Sequence, residues 1–258
     1  MHDEVFGGVV LGEIDKAEKG KTLVVLTAEK GTVYIQAPGA HKLTASYLKS
    51  AQLFAYSRFF CYAKKDYYLL KEAYLFEDFF DLRTDYVGYC LAAYVAEVAL
   101  SVAIDKADCK NIMSLTLNTL YAITKKLYPT EHIRYVFEMR LSALLGFEPD
   151  LEYCPFCDSQ NGEKHMMFDL EDGFVCCADC LPEEADRSVC CPITKSALLA
   201  MKYIISAPSK QIFSFSTDDT TAKCLSGVCQ KYLHLRTEKR YKALPVYKNA
   251  LSTSGDIK

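Results

Sequence analysis

The first part of the chain alternates apolar and polar residues over short runs. Five runs rich in β-branched or aromatic residues lie between Gly8 and Asp78. Turn-forming pairs separate the runs at Lys19-Gly20 and Lys30-Gly31, and we expect Gly31 to adopt a left-handed conformation in a hairpin. Five strands in so short a segment predict a small β-barrel.

The pattern changes to helical spacing after Asp81. The predicted helices cover residues 86–104, 112–127, 131–145, 193–205 and 220–236. The most apolar run, 87–104, contains Glu97 and barely reaches the length of a membrane span, so we interpret it as a buried helix. The whole pattern predicts an α+β protein in which a barrel precedes a helical domain.

An acidic, turn-rich segment interrupts the helical pattern between residues 150 and 186. The expected organisation is therefore a barrel domain at 1–80 and a helical domain at 81–251 that carries an insert at 150–186. Residues 252–258 are small and polar, which predicts a flexible tail.

Four cysteines in the insert have the spacing of a metal site. Cys154-x2-Cys157 is followed, nineteen residues later, by Cys177-x2-Cys180. Each pair can direct two thiolates to one metal across a tight turn, and Zn²⁺ accepts a tetrahedral cage of four sulfurs. Four protein ligands leave no open coordination position, so the sequence predicts a structural zinc ion and no zinc hydrolysis.

Several alternatives to this zinc site remain open. Cys176 precedes Cys177 and could replace it, and His165 could replace one thiolate. The chain has 12 cysteines, so the four could also be reduced and free of metal. A redox role for Cys154-x2-Cys157 is disfavoured, because this pair does not open a helix after a strand.

The order of barrel, helices and paired cysteines resembles the RecO family of bacterial recombination mediators. The matching stretches are residues 8–11, 26–31, 39–40, 137–141, 144–151 and 172–174. The resemblance implies an OB-fold for the barrel and a protein that binds and anneals single- and double-stranded DNA. It also implies partnership with RecR, with the C-terminal tail of single-strand-binding protein (SSB) and, indirectly, with RecA, which the protein would help to load onto SSB-coated strands. One departure is residues 41–46, which are strongly basic in relatives and read HKLTAS here.

The net charge of −3 gives no general attraction to nucleic acid, so DNA binding must depend on local basic clusters. The barrel region contains dispersed basic residues that its acidic residues balance, whereas the C-terminal region is more strongly basic. The candidate DNA-binding residues are Lys19, Lys21, Lys42, Lys49, Arg58, Lys231, Arg236, Lys239 and Arg240. The alternative is that the C-terminal group forms a solvated helix face that balances the acidic insert.

Motifs of catalysis and export are absent from the sequence. It contains no Walker loop, nucleophile elbow, zincin motif or dinucleotide fingerprint, and its five histidines are far apart. Residues 1–20 lack the apolar core of a secretory signal, so we expect a non-enzymatic cytoplasmic protein associated with the nucleoid. Two alternatives are a zinc-stabilised adaptor that binds only protein, and a nuclease or transferase that uses acids such as Asp78, Asp81 and Asp85.

Overall fold

The computed structural model describes residues 2–15, 20–38, 47–103, 109–162, 165–184 and 186–255. Strands come first in these residues, followed mainly by helices, in agreement with the predicted α+β class. The elements, in chain order, are β1 (Asp3–Asp15), β2 (Lys21–Thr27), β3 (Gly31–Ala37), β4 (Tyr56–Ala63), β5 (Tyr68–Glu77), α1 (Tyr86–Val102), α2 (Lys110–Thr124), α3 (Thr130–Leu144), β6 (Met166–Asp169), β7 (Phe174–Cys177), β8 (Cys190–Ile193), α4 (Lys195–Ser206), α5 (Asp219–Thr237) and α6 (Ala243–Gly255).

The first five strands close into a barrel with the order β1-β2-β3-β5-β4. All neighbours are antiparallel except β3 and β5, which run parallel. Gly31 has φ 63°, which confirms the left-handed hairpin residue expected from the sequence, and Thr27 Oγ1 donates to its carbonyl at 2.9 Å. Alternate residues such as Val33, Ile35 and Phe59 fill the interior.

Helices α1, α2 and α6 belong to the same compact unit as the barrel. This unit, unit 1, comprises residues 1–126 and 241–258. Asp85 caps α1 by accepting a hydrogen bond from the backbone N–H of Gly88 at 3.1 Å. α6 packs against α1, and Tyr241, two residues before α6, contacts Tyr94 of α1 edge to face at 5.9 Å. α1 is therefore the buried helix that the sequence predicted, and no helix in the described part of the chain is long and apolar enough to cross a membrane.

The second compact unit, unit 2, comprises residues 127–240. α3 packs against α5, and Arg134 of α3 is fully buried between them. Its guanidinium donates twice to the carboxylate of Glu138 at 2.7 Å and also bonds Glu131 and the backbone carbonyl of Ser226. β6 lies between β7 and β8 in a small antiparallel sheet that belongs to the same unit.

The compact units divide the chain differently from the boundary at 80/81 expected from the sequence. α1 and α2 contact the barrel strands; for example, the backbone N–H of Cys109 donates to the carbonyl of Ala28 at 2.7 Å. In this division α1, α2 and α6 group with the barrel, while α3, α4 and α5 belong to unit 2. Helix α6 also continues to Gly255, so residues 252–255 are helical where a flexible tail beginning at residue 252 was expected.

Candidate metal centre and DNA-binding surfaces

The four cysteines predicted to bind zinc lie together in unit 2. Their Sγ atoms all lie within 4.8 Å of one another, and Cys157 and Cys177 are separated by 3.9 Å. A tetrahedral site with zinc–sulfur bonds of about 2.3 Å has sulfur–sulfur distances of about 3.8 Å. Cys154 and Cys177 are buried, while Cys157 is exposed. The four sulfurs therefore have a spacing that fits one tetrahedral metal ion.

Backbone turns direct these cysteines toward one point. The backbone N–H of Cys154 donates to the carbonyl of Ser159, and Asp158 N–H donates back to the carbonyl of Cys154. Asp158 has φ 54°, a left-handed conformation that aspartate tolerates better than most residues. β7 supplies Cys177, whose N–H donates to Cys154 Sγ at 3.5 Å, and a 3₁₀ turn supplies Cys180.

Three of the four thiols have shifted pKa values, and the hydrogen bond with Cys157 raises the pKa of Cys180. Hydrogen bonds from the side chain and backbone of Ser159 lower the pKa of Cys157 to about 6. Burial, followed by the neighbouring Cys157, raises the pKa of Cys177 to about 12. A divalent cation favours the thiolate form of every ligand, and an all-sulfur donor set suits zinc better than it suits magnesium or calcium. The donor chemistry therefore fits a zinc ion.

The two alternative ligands lie outside this cluster. Cys176 follows the strand alternation of β7 into the apolar interior, where burial raises the pKa of its thiol to about 12. His165 has an exposed side chain just before β6, and it is not one of the four ligands. Within the described residues, the four-cysteine cluster is the one group of three or more His, Cys, Asp or Glu side chains arranged to share a metal.

Three of the predicted DNA-binding residues line one pocket in unit 2. Lys231, Lys239 and Arg240 surround a pocket of about 450 Å³ at the C-terminal end of α5, together with Leu235 and the acidic Glu238. We call this the α5 pocket. Lys239 and Arg240, which directly follow α5, also complement the negative end of its dipole. The pocket combines positive charge with an apolar wall, which suits an anionic chain that carries apolar groups.

Arg236 does not belong to this pocket. Its guanidinium donates to the backbone carbonyls of Leu170 and Glu171 and lies 4.8 Å from the centre of the Tyr232 ring. Gly173 permits this arrangement, because a Cβ atom there would come within 2.5 Å of the Tyr232 hydroxyl. Arg236 therefore stabilises the contact between α5 and the β6–β7 turn.

The candidate residues of the barrel region are dispersed. Lys21 is paired with Glu13 at 2.7 Å, while Lys49 and Arg58 are exposed. Lys19 and Lys42 lie outside the described residues. Among the described residues, the candidate side chains of the barrel region are therefore separated from one another, in line with the dispersed pattern in the sequence.

A second pocket in unit 1 contains residues that were not on the candidate list. It has a volume of about 550 Å³ and lies between the β2–β3 and β4–β5 hairpins. Its basic and aromatic lining residues are Lys30, Lys64, Lys65, Tyr34, Tyr67 and Tyr68. Lys30 is paired with Glu4 at 2.7 Å, and the acids Glu29 and Asp66 also line the pocket. The Lys64-Lys65 and Tyr67-Tyr68 pairs around the β4–β5 turn are the sequence signal that could have identified this pocket.

The acids considered for a nuclease site have local structural roles. Asp85 caps α1, and Asp78 accepts from the backbone N–H of Phe80 at 3.1 Å. Asp81 lies 3.9 Å from the ammonium group of Lys125. These acids do not form a cluster placed to share a metal among the described residues.

Comparisons with known proteins give a consistent set of relatives. The profile of the family described as "Recombination protein O C terminal" matches residues 83–245. The chain is 28% identical over 241 residues to the DNA repair protein RecO of Acetivibrio thermocellus, covering 93% of this chain and 94% of that protein. It is 24% identical to RecO of Caldicellulosiruptor saccharolyticus, over 93% of this chain and 96% of the relative. The match to RecO of Bacillus subtilis is 26% identical over 169 residues, or 66% of each chain.

Proposed function

Because this chain belongs to the recombination protein O (RecO) family of DNA repair proteins, we propose that it is a non-enzymatic recombination mediator that binds and anneals DNA. In this proposal it works with RecR in the bacterial cytoplasm, at the nucleoid, and helps to load RecA onto SSB-coated single strands. The α5 pocket is the observation that carries the proposal, because it joins three basic side chains that the sequence had marked for DNA binding.

Phosphate binding at the α5 pocket follows from its charge. Lys231, Lys239 and Arg240 contribute three positive charges against one carboxylate, Glu238. Each cation that neutralises a phosphate releases a condensed counterion, so this contact is sequence-independent and weakens with salt. Such contacts can hold two strands of any sequence, which annealing requires.

The barrel supports an OB-fold assignment. Its five strands close in the order β1-β2-β3-β5-β4, and a five-stranded barrel is the framework of the OB-fold. OB-folds bind single strands by combining basic grooves with aromatic stacking. The pocket between the two hairpins supplies both residue types, with Lys64, Lys65 and Tyr34 among its lining residues.

The metal in this proposal is a structural zinc ion held by Cys154, Cys157, Cys177 and Cys180. Four thiolates would close its coordination sphere, so the ion would link the turn at Cys154 to β7 without supplying a reactive water. The chain contributes the geometry through the Ser159 and Cys177 backbone contacts described above. In this proposal the zinc-binding segment orders a loop and does not contact DNA.

In this proposal the C-terminal tail of SSB also binds in the α5 pocket. An acidic peptide with an apolar end matches the α5 pocket, where Lys239 and Arg240 lie beside the apolar side chains of Leu170, Val189 and Leu235. DNA phosphate and the tail would compete for this pocket. Such competition would couple release from SSB to capture of the strand.

The experiment that tests the proposal measures annealing of complementary labelled strands, without nucleotide, across a salt series. We expect the purified chain to accelerate annealing at low salt and to lose the effect as salt rises. Arg240→Glu reverses one charge of the pocket and should slow annealing, whereas Lys210→Glu changes an exposed lysine of the same unit outside the pocket and should not. Absence of both annealing and DNA retention at low salt would overturn the proposal.

A second candidate function is a zinc-stabilised adaptor that binds only protein. It is favoured by two exposed aromatic side chains beside the cysteine cluster, Tyr153 and Phe156, which are 57% and 46% exposed. Exposed aromatics of this kind are common in protein interfaces. The same annealing experiment separates the two functions, because an adaptor of this kind would leave strand pairing unchanged.

A further inference from the structure

The α5 pocket is built from two separate parts of unit 2. Helix α5 and the residues directly after it supply the three cations and one exposed apolar side chain, Leu235. The rest of the apolar wall comes from the small sheet, since Leu170 directly follows β6 and Val189 directly precedes β8. The distance between the cations and this part of the wall therefore depends on what holds the small sheet against α5.

Arg236 joins the two parts at the turn between β6 and β7. Its Nη2 group donates to the backbone carbonyl of Leu170 at 3.0 Å and to that of Glu171. The N–H of Leu170 in turn donates to the carbonyl of Val189 at 3.0 Å, so the two wall residues are tied to each other. One arginine of α5 thus reaches the part of the wall that the small sheet supplies.

The guanidinium of Arg236 is itself fixed by two aromatic rings. Its central carbon lies 4.8 Å from the centre of the Tyr232 ring and 5.5 Å from that of the Phe147 ring. Tyr232 is only 2% exposed, and its hydroxyl donates to the carbonyl of Phe147 at 3.1 Å. Because the flat guanidinium stacks on aromatic faces, its hydrogen bonds to the turn are held in one geometry.

The packing of the small sheet on α5 has a second source. Phe168 of β6 is fully buried and contacts the Tyr232 ring edge to face, with the ring centres 5.2 Å apart. β6 also pairs with β7 and β8 on its two sides. Loss of Arg236 should therefore leave the sheet packed on α5 and shift only the turn that carries Leu170.

The cations and the wall of the pocket select different ligands. Three cations against one carboxylate attract any polyanion, including a DNA strand, with a strength that falls as salt rises. The apolar wall adds affinity only for a ligand that can bury an apolar group beside its charges. The preference between the two proposed ligands therefore depends on where the wall lies relative to the cations.

We propose that Arg236 is a positioning residue that sets the specificity of the α5 pocket. By holding the Leu170 turn against α5, it gives an acidic peptide with an apolar end an advantage over DNA phosphate. The inference rests on the proposed binding of such a peptide in this pocket and deepens it. Arg236 acts through the wall, so its loss should reduce affinity for the apolar end and leave the ionic attraction in place.

The first test compares two labelled aspartate-rich peptides, one ending in leucine and one in serine, by fluorescence anisotropy. The full-length parent should bind the leucine-ended peptide roughly tenfold more tightly, as partial burial of one apolar side chain allows. Arg236→Met should reduce this preference to about twofold, because Leu235 of α5 remains. A direct ionic contact of Arg236 with the peptide would change both affinities equally and cancel in their ratio.

Arg140→Met is the matched control for this variant. The Arg140 guanidinium also donates to two backbone carbonyls of unit 2, those of Ile204 and Ile205, and Arg140 does not line the α5 pocket. This substitution removes the same kind of contact elsewhere in the unit. It should keep the parent's preference for the leucine-ended peptide.

A second variant displaces the turn without altering any charge. Gly173 has φ 73°, and a Cβ atom there would lie 2.5 Å from the Tyr232 hydroxyl and 3.3 Å from Arg236 Nη2. Gly173→Ala should therefore push the turn away from α5 and lower the leucine preference as Arg236→Met does. Gly146→Ala is its control, because Gly146 has φ 89° and, apart from its chain neighbours, a Cβ there would meet no described atom within 4 Å. This control carries similar backbone strain without the displacement.

DNA binding provides the readout that a merely structural role would not spare. The three cations of the pocket stay in place in Arg236→Met and Gly173→Ala. The slope of log K against log salt for a labelled single strand should therefore match that of the parent. General disruption of unit 2 would instead weaken the binding of DNA and of both peptides together.

The outcomes separate this inference from the proposed function. If Arg236→Met and Gly173→Ala keep the full leucine preference, or weaken both peptides and DNA equally, Arg236 does not set specificity, and the pocket keeps its proposed role. If the parent binds the two peptides equally, the wall selects nothing and the inference is overturned while the phosphate contacts stand. If the parent binds neither peptide and no DNA, the proposed function itself fails and this inference fails with it.

Discussion

The charge of the α5 pocket leads to a quantitative prediction about salt. Replacing Lys231, Lys239 and Arg240 together with glutamine removes the three positive charges that line the pocket, while Glu238 remains. Lys231 is an exposed residue of α5 whose ammonium group lies 3.8 Å from Cys191 Sγ, and Lys239 and Arg240 are exposed residues just beyond α5, so the replacement removes no apolar core residue. The fold should therefore survive the triple substitution, and the change in DNA binding should be electrostatic.

The magnitude follows from counterion release. Each phosphate contact contributes about 0.7 to the slope of log K against log salt for a single strand, so loss of three contacts lowers the slope by about 2. Between 50 and 200 mM salt, the parent should thus lose roughly 20-fold more affinity than the triple variant does. The two proteins should converge in affinity at high salt, where the phosphate contacts contribute least.

The assay is fluorescence anisotropy of a labelled single strand at several salt concentrations. A matched variant replaces Lys195, Lys202 and Lys210, three lysines of the same unit outside the pocket. Its salt slope should stay close to that of the parent. An unchanged slope in the pocket variant, or an equal decrease in the control variant, would refute the assignment of phosphate contacts to this pocket.

Three further predictions concern unit 2. Cys154→Ser removes a buried thiolate, so the bound zinc measured by metal analysis should fall well below one equivalent and the melting temperature should drop, whereas Cys224→Ser should retain the metal. Glu138→Gln removes one of the two carboxylates that pair with the buried Arg134, while Glu131 keeps its two hydrogen bonds to the guanidinium, and should reduce the free energy of unfolding in urea by about 2 kcal/mol; a loss below about 0.5 kcal/mol would contradict the buried pair. Burial lowers the pKa of His132, so the unfolded chain takes up its proton first as pH falls below about 6.5; stability should be full above that pH and decline below it, and His132→Phe should flatten this decline.

Local patterns predicted most of the elements. The five apolar runs correspond to β1–β5, and the predicted helix at 131–145 differs from α3 by one residue at each end. This agreement has a physical basis, since strand alternation and helical periodicity are set by which face of each element is buried. Cys154 and its three partners were identified for the same reason, because their spacing within each pair is itself the local geometry of a metal turn.

Contacts between residues that are far apart in the sequence could not be predicted from such local patterns. Helix α6 was missed because residues 252–255 are small and polar, and its start depends on a distant residue. Glu97 of α1 accepts hydrogen bonds from the backbone N–H groups of Lys242 and Ala243 at 3.0 and 2.8 Å, which satisfies the first turn of α6. The sequence showed Glu97 only as a charge in an apolar run, and only the fold shows what it binds.

The same limit applies to the basic residues. Lys231 and Arg236 lie five residues apart on α5 and look equivalent in the sequence. In the fold, Lys231 lines the α5 pocket, whereas Arg236 is held by the carbonyls of Leu170 and Glu171. A positive charge in a sequence therefore indicates a candidate, and its tertiary partners decide whether a phosphate can reach it.

Unit 1 is assembled from two stretches of chain, and this has a consequence during protein synthesis. The barrel, α1 and α2 leave the ribosome first, but α6 follows only after the 114 residues of 127–240 have been added. At about 5–20 residues per second this interval lasts roughly 6–23 s. Throughout it, the face of α1 that packs against α6 stays uncovered, whereas unit 2 is one contiguous stretch and needs no later residue to complete it. The nascent barrel unit is thus the part of the chain most exposed to aggregation and to chaperone binding.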